Sequence, residues 1–208
     1  DPIGCLMTEY LFEKFQIKPL IIFRHPLPVI SSLVRLSNRP EWQLDSIHLS
    51  ALNCQPELVN EYFTDGSLSI NSYENDALTN ASLLWRALNK VLLSQTVKHP
   101  DWVVVKHEEF FESPEINLKD LYSALNLPWS KKIEKAIRRF TSDNNHSRGN
   151  GEKVQNFKRN SRKMFENSVI KFSREERRKI FDCTQDVALK LFDEASFWLD
   201  RDPQMGKY

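Results

Sequence analysis

Arg24 stands at the end of the apolar run Leu20-Ile21-Ile22-Phe23, is followed by His25-Pro26-Leu27-Pro28, and has Ser32 eight residues beyond it. A guanidinium offers a planar fork of donors matched to phosphate oxygens, and a serine hydroxyl adds one more donor. If the residues after Arg24 open a helix, its first backbone N–H groups and its dipole also favour an anion. The chemistry suggested is therefore the holding of a phosphate or sulfate. The same pattern describes an arginine that salt-bridges at a strand end and a serine on a helix surface. It is common in α/β proteins, so the neighbouring elements have to decide.

The run 20–23 is short, continuous and rich in β-branched residues, which predicts a parallel strand covered on both faces. Upstream, Leu6, Tyr10, Leu11 and Phe15 fall at helical spacing and predict a helix over 6–15, broken by Lys18-Pro19. Pro26 and Pro28 suit a first helical turn, where a missing N–H costs nothing, and the helical pattern continues over 29–36. Residues 38–76 are polar, aromatic and weakly periodic. They predict a long excursion with a short helix around 49–63, the kind of insertion that forms lids or binding loops. A long helix is predicted over 77–97, then a second buried strand, Trp102-Val103-Val104-Val105, leading into Lys106-His107-Glu108-Glu109-Phe110-Phe111. A helix over 118–125 is stopped by Asn126-Leu127-Pro128, and Ser130 caps another running to about residue 140. The Asn-, Ser- and Gly-rich stretch 141–156 predicts a mobile loop. Ser173-Arg174-Glu175-Glu176 is a capping box opening a helix that continues to about residue 197.

Lys plus Arg number 29 against 28 for Asp plus Glu, which excludes the general positive field that gathers nucleic acid or an anionic membrane. Any anion site is local. No apolar run approaches the roughly 18–20 residues of a membrane span, and the N-terminal residues lack a secretory-signal pattern. Cys5, Cys54 and Cys183 are odd in number and widely spaced, so neither a zinc site nor a disulfide framework is indicated. A soluble, cytoplasmic chain is expected. Its 208 residues suit one α/β domain spanning 1–208, and the abrupt start at Asp1-Pro2, without Met, points to a missing upstream portion.

Taken together, the segments Lys18 to Ser32, Trp85-Arg86-Ala87-Leu88-Asn89, Trp102 to Pro114, and Leu121-Tyr122 with Leu125-Asn126-Leu127-Pro128 resemble the sulfotransferase family. There a strand ending in Arg-x-Pro, with a Ser on the next helix, binds a 3′-phosphate. The resemblance implies a P-loop-NTPase-like three-layer fold, a central parallel sheet flanked by helices, truncated at its N-terminus to the last two-thirds of the family fold. It implies 3′-phosphoadenosine 5′-phosphosulfate as co-substrate and no metal. The acceptor would be a small molecule, a lipid, a carbohydrate or a peptide presenting a hydroxyl or amine. On the same ground Arg24 and Ser32 contact the 3′-phosphate and His107 lies beside adenine. The run Lys158-Arg159-Asn160-Ser161-Arg162-Lys163 is the candidate for a late basic loop that closes the site, through Arg159, Ser161, Arg162 and Lys163. Ser147-Arg148-Gly149 is a weaker competitor for that place.

The sequence departs from the family in one respect. The loop of Gly and Ser/Thr with a following Lys, which cradles the 5′-phosphosulfate, has no match among the five glycines, Gly4, Gly66, Gly149, Gly151 and Gly206. Two other readings stand beside the sulfotransferase one: a non-catalytic nucleotide-binding fragment, or another P-loop-like phosphoryl-transfer enzyme. The latter needs a Walker-type Lys and a magnesium-binding carboxylate, and neither pattern is present. A nucleic-acid binder is disfavoured because the cations are matched by acids. Within the excursion, Trp42, Tyr62, Phe63 and Tyr73 are candidates for an acceptor pocket, and His48 and Glu61 could approach an acceptor. The residues assign no catalytic base.

Overall fold

Two parallel strands, β1 (Leu20–Phe23) and β2 (Val103–Lys106), pair in the register Leu20 to Val103 through Phe23 to Lys106. The computed structural model describes residues 4–37, 52, 54–63, 76–111, 113–141 and 161–198. Between the strands run α2 (Pro26–Ser37), α3 (Pro56–Tyr62) and the 22-residue α4 (Ala77–Lys98). A helix, α1 (Thr8–Phe15), precedes them, entered through a 3-10 turn at Gly4–Met7. After β2 come a 3-10 turn at His107–Phe110, then α5 (Pro114–Ala124), α6 (Lys131–Thr141), α7 (Ser161–Lys171) and α8 (Arg174–Ala188), and a final 3-10 turn at Glu194–Phe197. The described residues are mostly helical around this small parallel sheet, an α/β arrangement at the coarse level. Two strands do not amount to the expected three-layer architecture with a central sheet.

The helical core lies between α2, α4, α7 and α8. Leu27 and Ile30 of α2 meet Trp85 of α4, Val169 of α7 and Ile180 of α8, and Phe197 closes the cluster. The helices are held by local chemistry as well as by burial. Asp76 caps α4, accepting from Leu78 N–H at 3.1 Å, and its carboxylate also takes Lys179 of α8. The capping box at the start of α8 is formed, with Glu176 N–H donating to Ser173 Oγ at 3.1 Å and Ser173 N–H to Glu176 at 2.7 Å.

Cover over the sheet is incomplete among the described residues. Ile21 and Phe23 are buried in a cluster with Trp102, whereas Ile22 on the opposite face is 51% exposed and Val104, which pairs with Ile21, is 44% exposed. The expectation of strands buried on both faces is corrected accordingly: apolar composition permits double burial but does not supply the second layer. Three other expectations change. The last helix ends at Ala188 rather than near residue 197; the chain turns there so that Leu191 and Phe192 reach the sheet cluster while Phe197 enters the helical core. The basic run expected as a loop becomes helical at Ser161, because Phe165, Val169 and Phe172 recur at helical spacing and bury one face. Tyr62 and Phe63, expected in an acceptor pocket, pack against Leu84, Ala87 and Val91 of α4 in a second core cluster. No helix among the described residues is long and apolar enough to cross a membrane.

Candidate functional site at the strand ends

β1 and β2 run in the same direction, so Arg24 and His107 leave the sheet at the same edge, at the carboxyl ends of the strands. In open parallel sheets this edge is where ligands bind, because the loops there are free of the crossovers' return path. The peptide that joins Arg24 to His25 is held at both ends. Its carbonyl oxygen accepts from Trp85 Nε1 at 3.1 Å, and its N–H donates to Glu108 Oε1 at 2.9 Å. Trp85 is itself buried in α4, so a helix and the 3-10 turn after β2 jointly fix the direction in which Arg24 departs.

The Arg24 guanidinium is uncommitted: among the described residues it makes neither an ion pair nor a side-chain hydrogen bond. Although the residue is exposed, neighbouring protein crowds the cation and lowers its pKa from the usual guanidinium value, against the opposing pull of Glu108. Two more polar atoms nearby are buried without partners, Nδ1 of His107 and Oε2 of Glu108. Burial, with Arg24 beside it, holds His107 down to about 4, so its ring is neutral near pH 7. Burial raises the Glu108 carboxyl, with the His25 N–H and Arg24 opposing.

The entrance of α2 differs from expectation in an instructive way. Pro26 and Pro28 have no N–H, and Leu27 N–H donates to His25 Nδ1 at 3.3 Å. The first three helical positions therefore offer an anion no backbone donor, and a bound phosphate has to be held by side chains. Ser32 is half-buried one turn further along α2, and its neighbour Ser31 receives Lys171 of α7 at 3.5 Å.

The helix α7 reaches the same edge through Phe165, a residue sequence reasoning passed over. Its ring lies 5.2 Å from that of His25 and 5.8 Å from that of Phe111, and Phe111 lies 5.4 Å from His107. Arg162 and Lys163 are exposed in the turn of α7 that precedes Phe165. Ser161 opens that helix, and Arg159 lies outside the described residues, as do the competing 147–149 segment, Trp42, His48 and Tyr73. Glu61, considered as an acceptor-side base, is exposed on α3 and accepts from Lys98 at 2.8 Å, which lowers its pKa. It has no place at the strand ends.

A separate groove of about 630 Å³ between α4 and α8 is lined by Arg86, Asp182, Cys183 and Asp186. Arg86 is committed there, donating through Nε and Nη2 to Asp186 at 2.8 Å. Among the described residues no group of three or more His, Cys, Asp or Glu could hold a metal ion. The site thus comprises one exposed but crowded cation on a fixed peptide, a neutral histidine and a carboxylate at a parallel-strand edge. Such a set can bind an anion attached to a flat or polar body. Comparison with protein-family models, with curated proteins and with solved structures returns no match to this chain.

Proposed function

We propose that this chain binds 3′-phosphoadenosine 5′-phosphosulfate at the carboxyl edge of its two parallel strands and serves sulfuryl transfer to a hydroxyl or amine acceptor. The observation that carries the reading is the uncommitted Arg24 guanidinium, held on a clamped peptide beside neutral His107. Arg24 takes the 3′-phosphate by a charge-assisted pair, Ser32 adds a hydroxyl donor, and Arg162 and Lys163 on α7 lend positive charge to the same side. A neutral imidazole offers adenine an uncharged face, consistent with its place in the resemblance. In this reading β1 and β2 belong to the central sheet of a three-layer, P-loop-like domain.

In the reaction the acceptor oxygen or nitrogen attacks sulfur in line. The bond from sulfur to the 5′-phosphate oxygen breaks, the new bond to the acceptor forms, and the acceptor proton passes to a base. The residues described here handle the nucleotide rather than that proton. The alternative is a nucleotide-binding unit without turnover, favoured by a site whose described residues Arg24, Ser32 and His107 all address the nucleotide.

Calorimetric titration with adenosine 3′,5′-bisphosphate, with adenosine 5′-phosphate as control, tests the reading. The bisphosphate is expected to bind preferentially, and Arg24→Ala to remove that preference at a cost of roughly 2–3 kcal/mol. Equal affinity for the two nucleotides in the wild-type chain overturns it. Preferential binding without sulfuryl transfer to any acceptor selects the non-catalytic alternative.

A further inference from the structure

Glu108 is tied to the anion site twice over. Its Oε1 accepts the His25 N–H at 2.9 Å and so fixes the peptide from which Arg24 departs, while its Oε2 is buried with no donor among the described residues. A buried carboxylate oxygen without a partner is costly while ionised; backbone N–H groups, first that of His25, oppose the cost, and a neighbouring cation adds to them. That cation is Arg24, coupled to Glu108 electrostatically yet too far from it to form an ion pair. The cation that Glu108 relies on is thus the same one that a ligand anion would use.

We propose that Glu108 is the positioning residue of the Arg24 site, straps the Arg24–His25 peptide through Oε1, and takes up a proton when an anion docks on Arg24. The inference rests on the reading of Arg24 as an anion-binding residue. An anion placed on the guanidinium cancels the positive charge that helps to keep Glu108 ionised and adds a negative charge beside it. Both changes favour the neutral acid. Proton uptake then leaves the Oε1 strap in place, because a carbonyl oxygen still accepts the N–H. The other groups facing this carboxyl do not replace its role. Glu109, a like charge that raises Glu108 further, is engaged with Lys106 through the Lys106 N–H at 3.1 Å and its ammonium at 3.9 Å. His107 stays neutral above about 4, and His25 presents only its backbone N–H. Burial already raises the Glu108 carboxyl above its ordinary value, the same direction in which a docked anion pushes it.

The test uses the full chain with two probes, adenosine 3′,5′-bisphosphate and inorganic pyrophosphate. Calorimetry is run in two buffers of different ionisation enthalpy across pH 6 to 8, on wild type, Glu108→Gln, Glu108→Ala and Glu109→Gln. The difference between wild type and Glu108→Gln cancels the ionisation of the probe itself. Wild type is expected to take up more protons per probe bound than Glu108→Gln, and to gain affinity more steeply as pH falls. Glu108→Gln, which keeps the strap without the charge, should bind about threefold to tenfold more tightly at pH 8. Glu108→Ala, which loses the strap, should bind more weakly than Glu108→Gln, and Glu109→Gln should follow wild type. Identical proton counts and pH slopes in wild type and Glu108→Gln overturn the proposal, as does equal weakening by Gln and Ala. If pyrophosphate binds through Arg24 without any preference for the bisphosphate over adenosine 5′-phosphate, the sulfotransferase reading falls while Glu108 is still scored by the Gln variant. Absence of binding by both probes overturns both.

Discussion

His25 and His107 follow the ends of neighbouring parallel strands, both neutral near pH 7, and they differ in what meets their nitrogens. The His25 ring is caged by Phe165, Phe192 and Phe197 at centroid distances of 4.6 to 5.2 Å. Its Nδ1 accepts the Leu27 N–H at 3.3 Å, which leaves Nε2 as the donor to Ser196 Oγ at 3.0 Å. His107, by contrast, has a buried Nδ1 with no partner, next to an uncommitted arginine and a half-satisfied carboxylate. Satisfied burial marks a group that holds the fold together; unsatisfied burial beside an unused charge marks a place built for something else. The first side of that contrast is structural, the second is the candidate site, and both stand at the carboxyl edge of the same two strands.

The largest effect of a single substitution that sharpens the contrast is expected at His25. Replacing it with Ala empties an aromatic cage, orphans Leu27 N–H and leaves Ser196 Oγ only its bond to the Asp193 carbonyl, a loss of about 3 kcal/mol in urea unfolding. A change below about 1 kcal/mol would show that the cage is not a keystone of the α2 entrance.

Acid titration draws on both rings at once and is of comparable size. Burial depresses His25 to about 3 and His107 to about 4, both below their unfolded value of 6.5. Above pH 6.5 neither histidine contributes a pH dependence. As pH falls below it, the unfolded chain takes up protons that the folded chain refuses, and stability declines towards pH 3–4. Between pH 7 and pH 5 the two together should remove about 3–4 kcal/mol, less what Glu108 returns through its raised carboxyl. Urea midpoints measured at half-unit pH steps check the slope; a flat profile would mean that both rings are accessible to water.

The strand-end site was legible where one element carries the signal. The apolar run 20–23 and the break before Arg24 read directly as β1 and its end, and the strand, turn and helix around it follow from local composition. What local composition could not show is cooperation between distant residues. The bond from Glu108 to His25 joins positions 83 apart, and the bond from Trp85 to the Arg24 carbonyl positions 61 apart. Nor could it show that His25 spends the one N–H left between two prolines, which turns an expected backbone cradle into a side-chain site. The helix α7 was readable in principle from Phe165, Val169 and Phe172, but the cations at its start drew the reading towards a loop. Double burial of the strands failed for a different reason: a sequence states that a side chain is apolar, and only the fold states whether a second layer is there to cover it.

The smallest expected effects cut most sharply between the two sides of the contrast. His107→Leu replaces a ring whose Nδ1 has no partner, so stability at pH 7 should stay level or rise by up to about 1 kcal/mol, and part of the acid slope should go with it. Arg24→Ala removes a side chain with no ion pair among the described residues, so the urea midpoint should move by less than about 0.5 kcal/mol in free energy. A binding residue and a stabilising residue part company at this point. If Arg24→Ala lowers stability by more than about 1.5 kcal/mol, the guanidinium is holding the strand end together and the unsatisfied atoms around it are packing defects. If stability is unchanged while bisphosphate binding is lost, the crowding of Arg24 is a cost that the fold bears for the sake of an anion.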